Sequence, residues 1–364
     1  MQAAPSSDAL WNKPPDQPKN LQTKTAERDR KNMFNPETLE WISSCPDHII
    51  DFQKCGDHYQ ADGARVDPDT IEAAFRKAHP SLPASVTFLY EGWKVARIRP
   101  FRPLVYYAAF GEDDIFRCLS LSLWSLLHPG QYRGEIAVIT SSDDAPKVEA
   151  LRDDLNLGER LHIVCVSEHA DIVDFCLARF RLSDPVFSHR QPLLYLDCDV
   201  VIDAPIEPFL MQIAGSDKIH VMPEGQIGEG HESSSGHWFG WRMMAEDGMT
   251  FDRRAPGFSA GILASGQGAV LQFSAKLALA TAENFQNKSG ERRPFLGYDQ
   301  CVANYVFLKT DVRSFEYMRN AVLLFRLREG APNIPPMRGR GFVHFLNAPT
   351  AGKYAAMEQY VKTL

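Results

Sequence analysis

The chain has 364 residues, a length that suits a catalytic domain of roughly 250 residues plus an extension, and its 44% hydrophobic and 23% charged content excludes wholesale disorder. A formal net charge of −7 excludes general nucleic-acid binding, which rewards a basic surface. No uninterrupted apolar run is long enough to span a bilayer, and the first residues, MQAAPSSDALWNKPPDQPKN, lack a basic region followed by an apolar one.

In chain order, residues 1–32 are rich in Pro, Ser, Asn, Gln and charge, which predicts a mobile tail. Residues 33–100 carry helix-like pieces, notably DPDTIEAAFRKAHP (67–80) closed by Pro80, and predict a small, mainly helical accessory extension. Residues 101–364 form the main domain. Here short apolar runs alternate with amphipathic ones: strands over LVYYAAF (104–110), EIAVIT (135–140), LHIVCV (161–166) and PLLYLDCDVVI (192–202), and helices over 113–127, 145–155 and 170–182. This alternation predicts an α/β domain, a mostly parallel mixed sheet flanked by helices, with ligands outside the carboxyl ends of the strands. The seven cysteines are an odd set without CxxC spacing and read as free thiols of a reducing compartment. The expected location is cytoplasmic, with peripheral membrane association left open.

The segment LLYLDCDVVID carries the clearest chemistry. An apolar strand runs straight into Asp197 and Asp199, whose i, i+2 spacing puts both side chains on one face of an extended chain. Two carboxylates at the end of a hydrophobic strand repel each other unless something neutralises them. A hard divalent cation does so, and Mg²⁺ or Mn²⁺ takes one or two carboxylates together with phosphate oxygens. The competing reading is structural: the pair caps the strand or turns the chain.

Further pieces follow in a fixed order: VYYAAF, LARFRL before the acidic strand, YLDCDVVI, PGFSAGILAS, YDQCVAN and a late FVHF. In this order the chain from about Leu104 to Tyr354 resembles the family 8 glycosyltransferases, which have the GT-A nucleotide-diphospho-sugar transferase fold. The resemblance implies a metal-dependent transfer of a hexosyl group from a nucleotide sugar, UDP-linked, to a hydroxyl acceptor, with retention of configuration. It also implies that Asp197, Asp199 and His344 ligate Mn²⁺ or Mg²⁺, and an imidazole beside two carboxylates suits Mn²⁺ better than Ca²⁺. By the same resemblance Tyr107, Ala108, Arg179, Cys198, Ser259, Ala260, Gly261 and Lys353 fall at the donor site, with Arg179 orienting phosphate through its guanidinium fork. Asp299 and Gln300 are its catalytic candidates.

Each residue also has a plainer explanation. His344 alone would read as a core histidine, Arg179 as a surface arginine on an amphipathic helix, Ser259–Gly261 as a tightly packed strand, Asp299 as a helix N-cap and Lys353 as a solvated lysine. The chain also departs from the family pattern. Cys301 stands where a second aspartate is usual, Asn347 where glycine is usual, and Phe110–Asp113 where aspartate and asparagine read the base and ribose. The stretch 227–248 is long and glycine-rich, and its His237, Trp238 and Trp241 are either acceptor platforms or an insertion packed on its own aromatics. Two competitors stand beside the transferase. One is a sugar nucleotidyltransferase, which the acidic FGEDD disfavours; the other is a binding protein of the same fold without turnover.

Overall fold

The computed structural model describes residues 50–55, 58–61, 64–66, 87–90, 95–166, 172–214, 216–228, 238–292, 297–328, 334–335 and 339–364. The chain divides into two compact units, residues 1–81 with 92–97 and residues 82–91 with 98–364. In the first, β1 (Ile50–Cys55), β2 (His58–Ala61) and β3 (Ala64–Val66) form an antiparallel meander, with Cys55 opposite His58 and Ala61 opposite Ala64. The expectation of a mainly helical extension is therefore corrected for its described residues, all of which are strand. The expected helix over 67–80 and the expected tail over 1–32 lie outside the described residues.

The second unit opens with β4 (Thr87–Tyr90) paired antiparallel to residues 98–101 of β5 (Val95–Phe101). Its main sheet has seven strands in the order β13-β11-β12-β9-β6-β7-β8. These are β6 (Leu104–Ala108), β7 (Glu135–Thr140), β8 (Leu161–Cys165), β9 (Leu193–Leu196), β11 (Ile219–Gln226), β12 (Pro256–Ser265) and β13 (Arg313–Ser314). Strands β9, β6, β7 and β8 run parallel, and β12 is antiparallel to both neighbours. The expected mostly parallel mixed sheet is thus present.

Strand alternation divides the core. Leu104, Tyr106, Ala137 and Ile139 pack into one apolar cluster, while Val105, Tyr107, Ile136 and Val138 pack into another on the opposite face. Helix α1 (Asp113–Leu127) covers the second face with Phe116, Leu119, Leu123 and Leu126, at helical spacing. Each such side chain contributes about 1.5–3 kcal/mol by burial. Asp113 and Asp114 sit in its first turn, where the helix dipole favours acid. On this side also lies α4 (Glu207–Ala214). Helix α2 (Ala145–Asp154) follows β7, and α3 (Ile172–Leu177) leads into a 3-10 turn at Ala178–Phe180. The tightening ends the expected helix early, before Arg181. A short helix, α5 (Trp241–Glu246), falls within the expected 227–248 loop. The other face carries α6 (Gly268–Ser289), which ends at Gly290 in the left-handed region (φ 69°), and α7 (Tyr298–Lys309).

The largest departure from expectation lies at residues 192–202. The single predicted strand is two, because the chain turns at Asp197–Asp199, with the Val200 N–H donating to the Asp197 carbonyl at 3.2 Å. Beyond the turn, β10 (Val200–Ile202) leaves the main sheet and joins a second sheet of order β10-β15-β14. Its partners are β14 (Val322–Arg326), which follows α8 (Met318–Ala321), and β15 (Phe342–Leu346); helix α9 (Thr350–Val361) comes last. Asp203, just past β10, accepts from the N–H groups of Gly341 (2.7 Å) and Gly339 (2.9 Å) and from the Tyr360 hydroxyl (2.8 Å). One buried carboxylate thereby ties β10, the approach to β15 and α9 together. No helix among the described residues is long and apolar enough to cross a membrane.

Candidate active site

At the carboxyl end of β9 lies a cavity of about 480 Å³, within the range of small-molecule sites. The break between β9 and β10 forms its inner corner. The two aspartates converge through the turn, not through strand alternation as the sequence reading assumed. His344 arrives by register: it lies opposite Val200 in the antiparallel β10–β15 pair, and the Phe345 N–H donates to the Asp199 carbonyl at 3.0 Å. His344 Nε2 then stands 3.1 Å from Asp199 Oδ1 and 3.7 Å from Asp197 Oδ2.

This trio fits a divalent cation. Its ligand atoms all lie within 4.8 Å of one another. Asp199 Oδ1 is buried without a hydrogen-bond partner, because the nearby imidazole meets it at ion-pair distance but out of hydrogen-bonding alignment. Ligand atoms at right angles around an ion with bonds of about 2.1 Å stand roughly 3 Å apart, which the His344–Asp199 separation of 3.1 Å matches and the His344–Asp197 separation of 3.7 Å exceeds. Gly261 on β12 keeps the seat clear: a Cβ there would press into the His344 ring and lie 2.6 Å from Asp197 Oδ2.

Charge neutralisation is built around the same corner. Burial pushes the Asp199 carboxyl up, but the charges of His344 and Lys353 outweigh it and hold it well below the ordinary range. Burial pulls the His344 imidazole down, and Asp199 and Asp197 more than offset this, so it sits above its ordinary value. Lys353, in the first turn of α9, pairs with Asp199 Oδ2 at 2.6 Å. Asn347, between β15 and α9, has a φ of 63°, a region asparagine tolerates better than most residues.

Arg179, in the 3-10 turn after α3, engages all three nitrogens of its guanidinium. They reach the Cys176 carbonyl (3.0 Å), the Ala260 carbonyl (3.0 Å), Asp197 Oδ1 (3.2 Å) and Asp299 Oδ2 (3.2 Å). It lines the cavity, yet its nitrogens are already divided between two acids and two carbonyls. Asp299 and Gln300 lie in the first turn of α7. Asn304, one turn further on, clamps that helix to β12: it accepts from the Phe258 N–H and donates to the Phe258 carbonyl, both at 2.9 Å. Gln300 Oε1 accepts from the Ala260 N–H at 3.2 Å, which leaves the amide nitrogen to face a ligand. Burial raises the Asp299 carboxyl; Arg179 opposes this and Asp197 adds to it, with the balance upward.

Of the expected site residues, Arg179, Asp197, Asp199, Ser259, Gly261, Asp299, Gln300, His344 and Lys353 line this one cavity. Ala260 contributes backbone: its carbonyl to Arg179 and its N–H to Gln300. Tyr107 does not reach the cavity. Its side chain is buried on the opposite face of the sheet, where its hydroxyl accepts from Ser122 at 3.2 Å. Ala108 and Cys198 are likewise absent from the lining, and the Cys198 thiol donates to the Ala108 carbonyl at 3.4 Å. Phe110 is buried and stacks on Phe175 at 4.9 Å, and no residue of 110–113 lines the cavity. Cys301, on the core-facing side of α7, is buried and does not line the cavity.

The outer wall holds residues the sequence reading missed: Glu224, Gly225, Phe239 and Arg326. Glu224 on β11 pairs with Arg326 on β14 at 2.8 Å, so an ion pair joins the two sheets at the rim. Neither lies in a motif, and only the tertiary fold brings them together. Trp238 lines this wall over Gly297, where a Cβ would meet its ring at 2.6 Å. Trp241 packs against the core, and His237 lies outside the described residues.

No family model matches the chain, and no curated protein matches it. Among solved structures it is similar to mouse xyloside xylosyltransferase 1 in its apo form, with 11% identity and a TM-score of 0.41 over 67% of this chain and 97% of that one. It is also similar to the galactosyltransferase LgtC in complex with donor and acceptor sugar analogs (13% identity, TM-score 0.46, 72% of this chain and 96% of that one). A third likeness is to the apo form of the glycosyltransferase GlyE of Streptococcus pneumoniae (14%, 0.38, 60% and 46%).

Proposed function

We propose that this protein is a metal-dependent glycosyltransferase that moves a hexosyl group from a nucleotide sugar, UDP-linked, to a hydroxyl acceptor with retention of configuration. The observation that carries the proposal is the convergence of Asp197, Asp199 and His344 on one corner of a cavity that Ser259, Gly261, Asp299 and Gln300 also line. Asp197, Asp199 and His344 hold the cation, Mn²⁺ or Mg²⁺, which when bound supplies Lewis-acid neutralisation of the departing diphosphate.

The remaining work falls to the chain's own groups. Lys353, beside Asp199, is within reach of the same diphosphate and adds a positive charge there. Arg179 fixes Asp197 and Asp299 at a set separation and spares little of itself for the donor. The Gln300 amide nitrogen faces the sugar subsite, and Asp299 accepts sugar hydroxyls. In a front-face transfer the departing phosphate takes the proton of the incoming hydroxyl, so no strong general base is needed; the acids of this site are accordingly tied to cations. Gly261 keeps space at the corner, and Ser259 offers a short hydroxyl where a longer side chain would crowd the sugar.

The test is cleavage of a panel of nucleotide sugars with and without Mn²⁺, together with calorimetric titration of UDP under both conditions. The proposal requires Mn²⁺-dependent turnover of at least one donor and Mn²⁺-dependent nucleotide binding. A chain that binds nucleotide but never turns over would support the binding-protein reading, and one that neither binds nor cleaves would overturn both.

A further inference from the structure

Tyr195 lies on β9, two residues before Asp197, which follows the last residue of that strand. Its ring is fully buried and packs against Tyr106 at 5.1 Å, while the Arg179 guanidinium lies over it at 4.9 Å. The ring therefore has no room to change rotamer. Its hydroxyl is 2.6 Å from Asp197 Oδ1. An ionised carboxylate only accepts, so the hydroxyl is the donor.

The two oxygens of Asp197 consequently have different surroundings. Oδ1 takes the Tyr195 hydroxyl at 2.6 Å and Arg179 Nη1 at 3.2 Å. Oδ2 points to the clear seat beside Gly261 and stands 3.7 Å from His344 Nε2. The terminal torsion of an aspartate is broad and selects no carboxylate plane by itself. Arg179 cannot select it alone, because its nitrogens are shared with Asp299 and two carbonyls. The shorter, single contact is the tyrosine's.

We propose that Tyr195 is a positioning residue that fixes the carboxylate plane of Asp197, so that one oxygen is anchored to the fold and the other is presented to a divalent cation. The inference rests on the metal-dependent reading given above. It assigns to this chain an outer-shell donor that acts on a ligand as imidazole partners act in other metal sites, where losing such a partner weakens binding by about 10–100-fold.

The experiment measures Mn²⁺ affinity without nucleotide, from free Mn²⁺ seen by electron paramagnetic resonance, in the full-length wild-type chain and in Tyr195→Phe. Tyr106→Phe is the control, since its hydroxyl donates to the Arg179 carbonyl and touches neither aspartate. The expected result is at least a tenfold weaker Mn²⁺ affinity for Tyr195→Phe, with Tyr106→Phe within twofold of wild type. If the phenylalanine variant does not fold, Tyr195→4-methylphenylalanine keeps the volume without the donor and Tyr195→4-aminophenylalanine keeps a donor; only the first should lose affinity. Wild-type affinity in both donor-free variants, with wild-type binding intact, overturns this inference alone. A wild-type chain that does not bind Mn²⁺ overturns the metal-dependent reading and this inference with it.

Discussion

At the inner corner of the cavity, Asp197, Asp199 and His344 leave strand ends whose register is set by two sheets, and the neighbours of each are buried or anchored. At the outer wall, Glu224 and Arg326 meet in one ion pair with the arginine half exposed, and Trp238 is 44% exposed. Both regions join the main sheet to the small one, but the first does so through the backbone and the second through side chains. A backbone join fixes ligand spacing to within the tolerance of hydrogen-bond register. A side-chain ion pair in solvent contributes about 0–1 kcal/mol and yields readily. The corner is therefore suited to holding a ligand in one geometry, and the wall to yielding to what it meets.

The largest effect should come from the corner itself. Asp197→Ala or Asp199→Ala should lower Mn²⁺-dependent donor cleavage by about a thousandfold, roughly 4 kcal/mol, read as kcat/KM. Unchanged rates and Mn²⁺ affinity would make the corner an ordinary acidic turn. Next, Gly261→Ala should weaken Mn²⁺ binding by about a hundredfold and lower the melting temperature as well, because the added methyl presses into the buried His344 ring beside the cation's seat; calorimetric and thermal titrations check it.

Lys353→Met sharpens the comparison by a change of sign. Without nucleotide, removing the ammonium from Asp199 should tighten Mn²⁺ binding several-fold; with Mn²⁺ present, it should weaken UDP binding about tenfold. Two shifts in the same direction would mean that Lys353 serves only one of these partners. At the wall, Trp238→Ala should reduce acceptor-dependent kcat/KM about threefold to tenfold and leave Mn²⁺ and UDP affinity unchanged, measured with the acceptor varied at saturating donor.

The smallest effect is one of pH. His344 is held above its ordinary value, so its protonation supports the metal-free fold fully below about pH 6.5, and that support is lost as pH rises through its folded pKa. Asp199 is held below its ordinary value, so its support is present above about pH 4 and is lost as pH falls further. Thermal melting of the metal-free chain should therefore decline as pH rises above about 7, while Mn²⁺ affinity climbs over the same window because proton and cation compete for one imidazole. His344→Asn should flatten both curves.

Much of the corner was legible in the sequence because its residues sit at element ends. An apolar run that stops at two aspartates marks a strand end, and PGFSAGILAS with YDQCVAN places small residues and a helix start in the right order. The break at 197–199 was not legible, since VVI continues the same apolar composition and only the partner strand reveals that it belongs to a different sheet. The outer wall was invisible for a related reason: Glu224 and Arg326 lie 102 positions apart on strands of different sheets. Tyr107, placed at the donor site by resemblance, has its side chain on the opposite face of the sheet from the cavity, and a resemblance of short motifs does not say which face of a strand a residue takes. Tyr195, at the same spacing from Asp197 as Asp197 from Asp199, carried a readable signal that went unused.

Asp203 never meets a substrate, yet its three acceptor bonds gauge the gap between the strand after Asp199 and the strand bearing His344. It works as a caliper whose third jaw is Tyr360, four residues from the end of the chain. Damage at that end would thus be felt at the cavity as a mis-set opening, with the strands on either side otherwise whole.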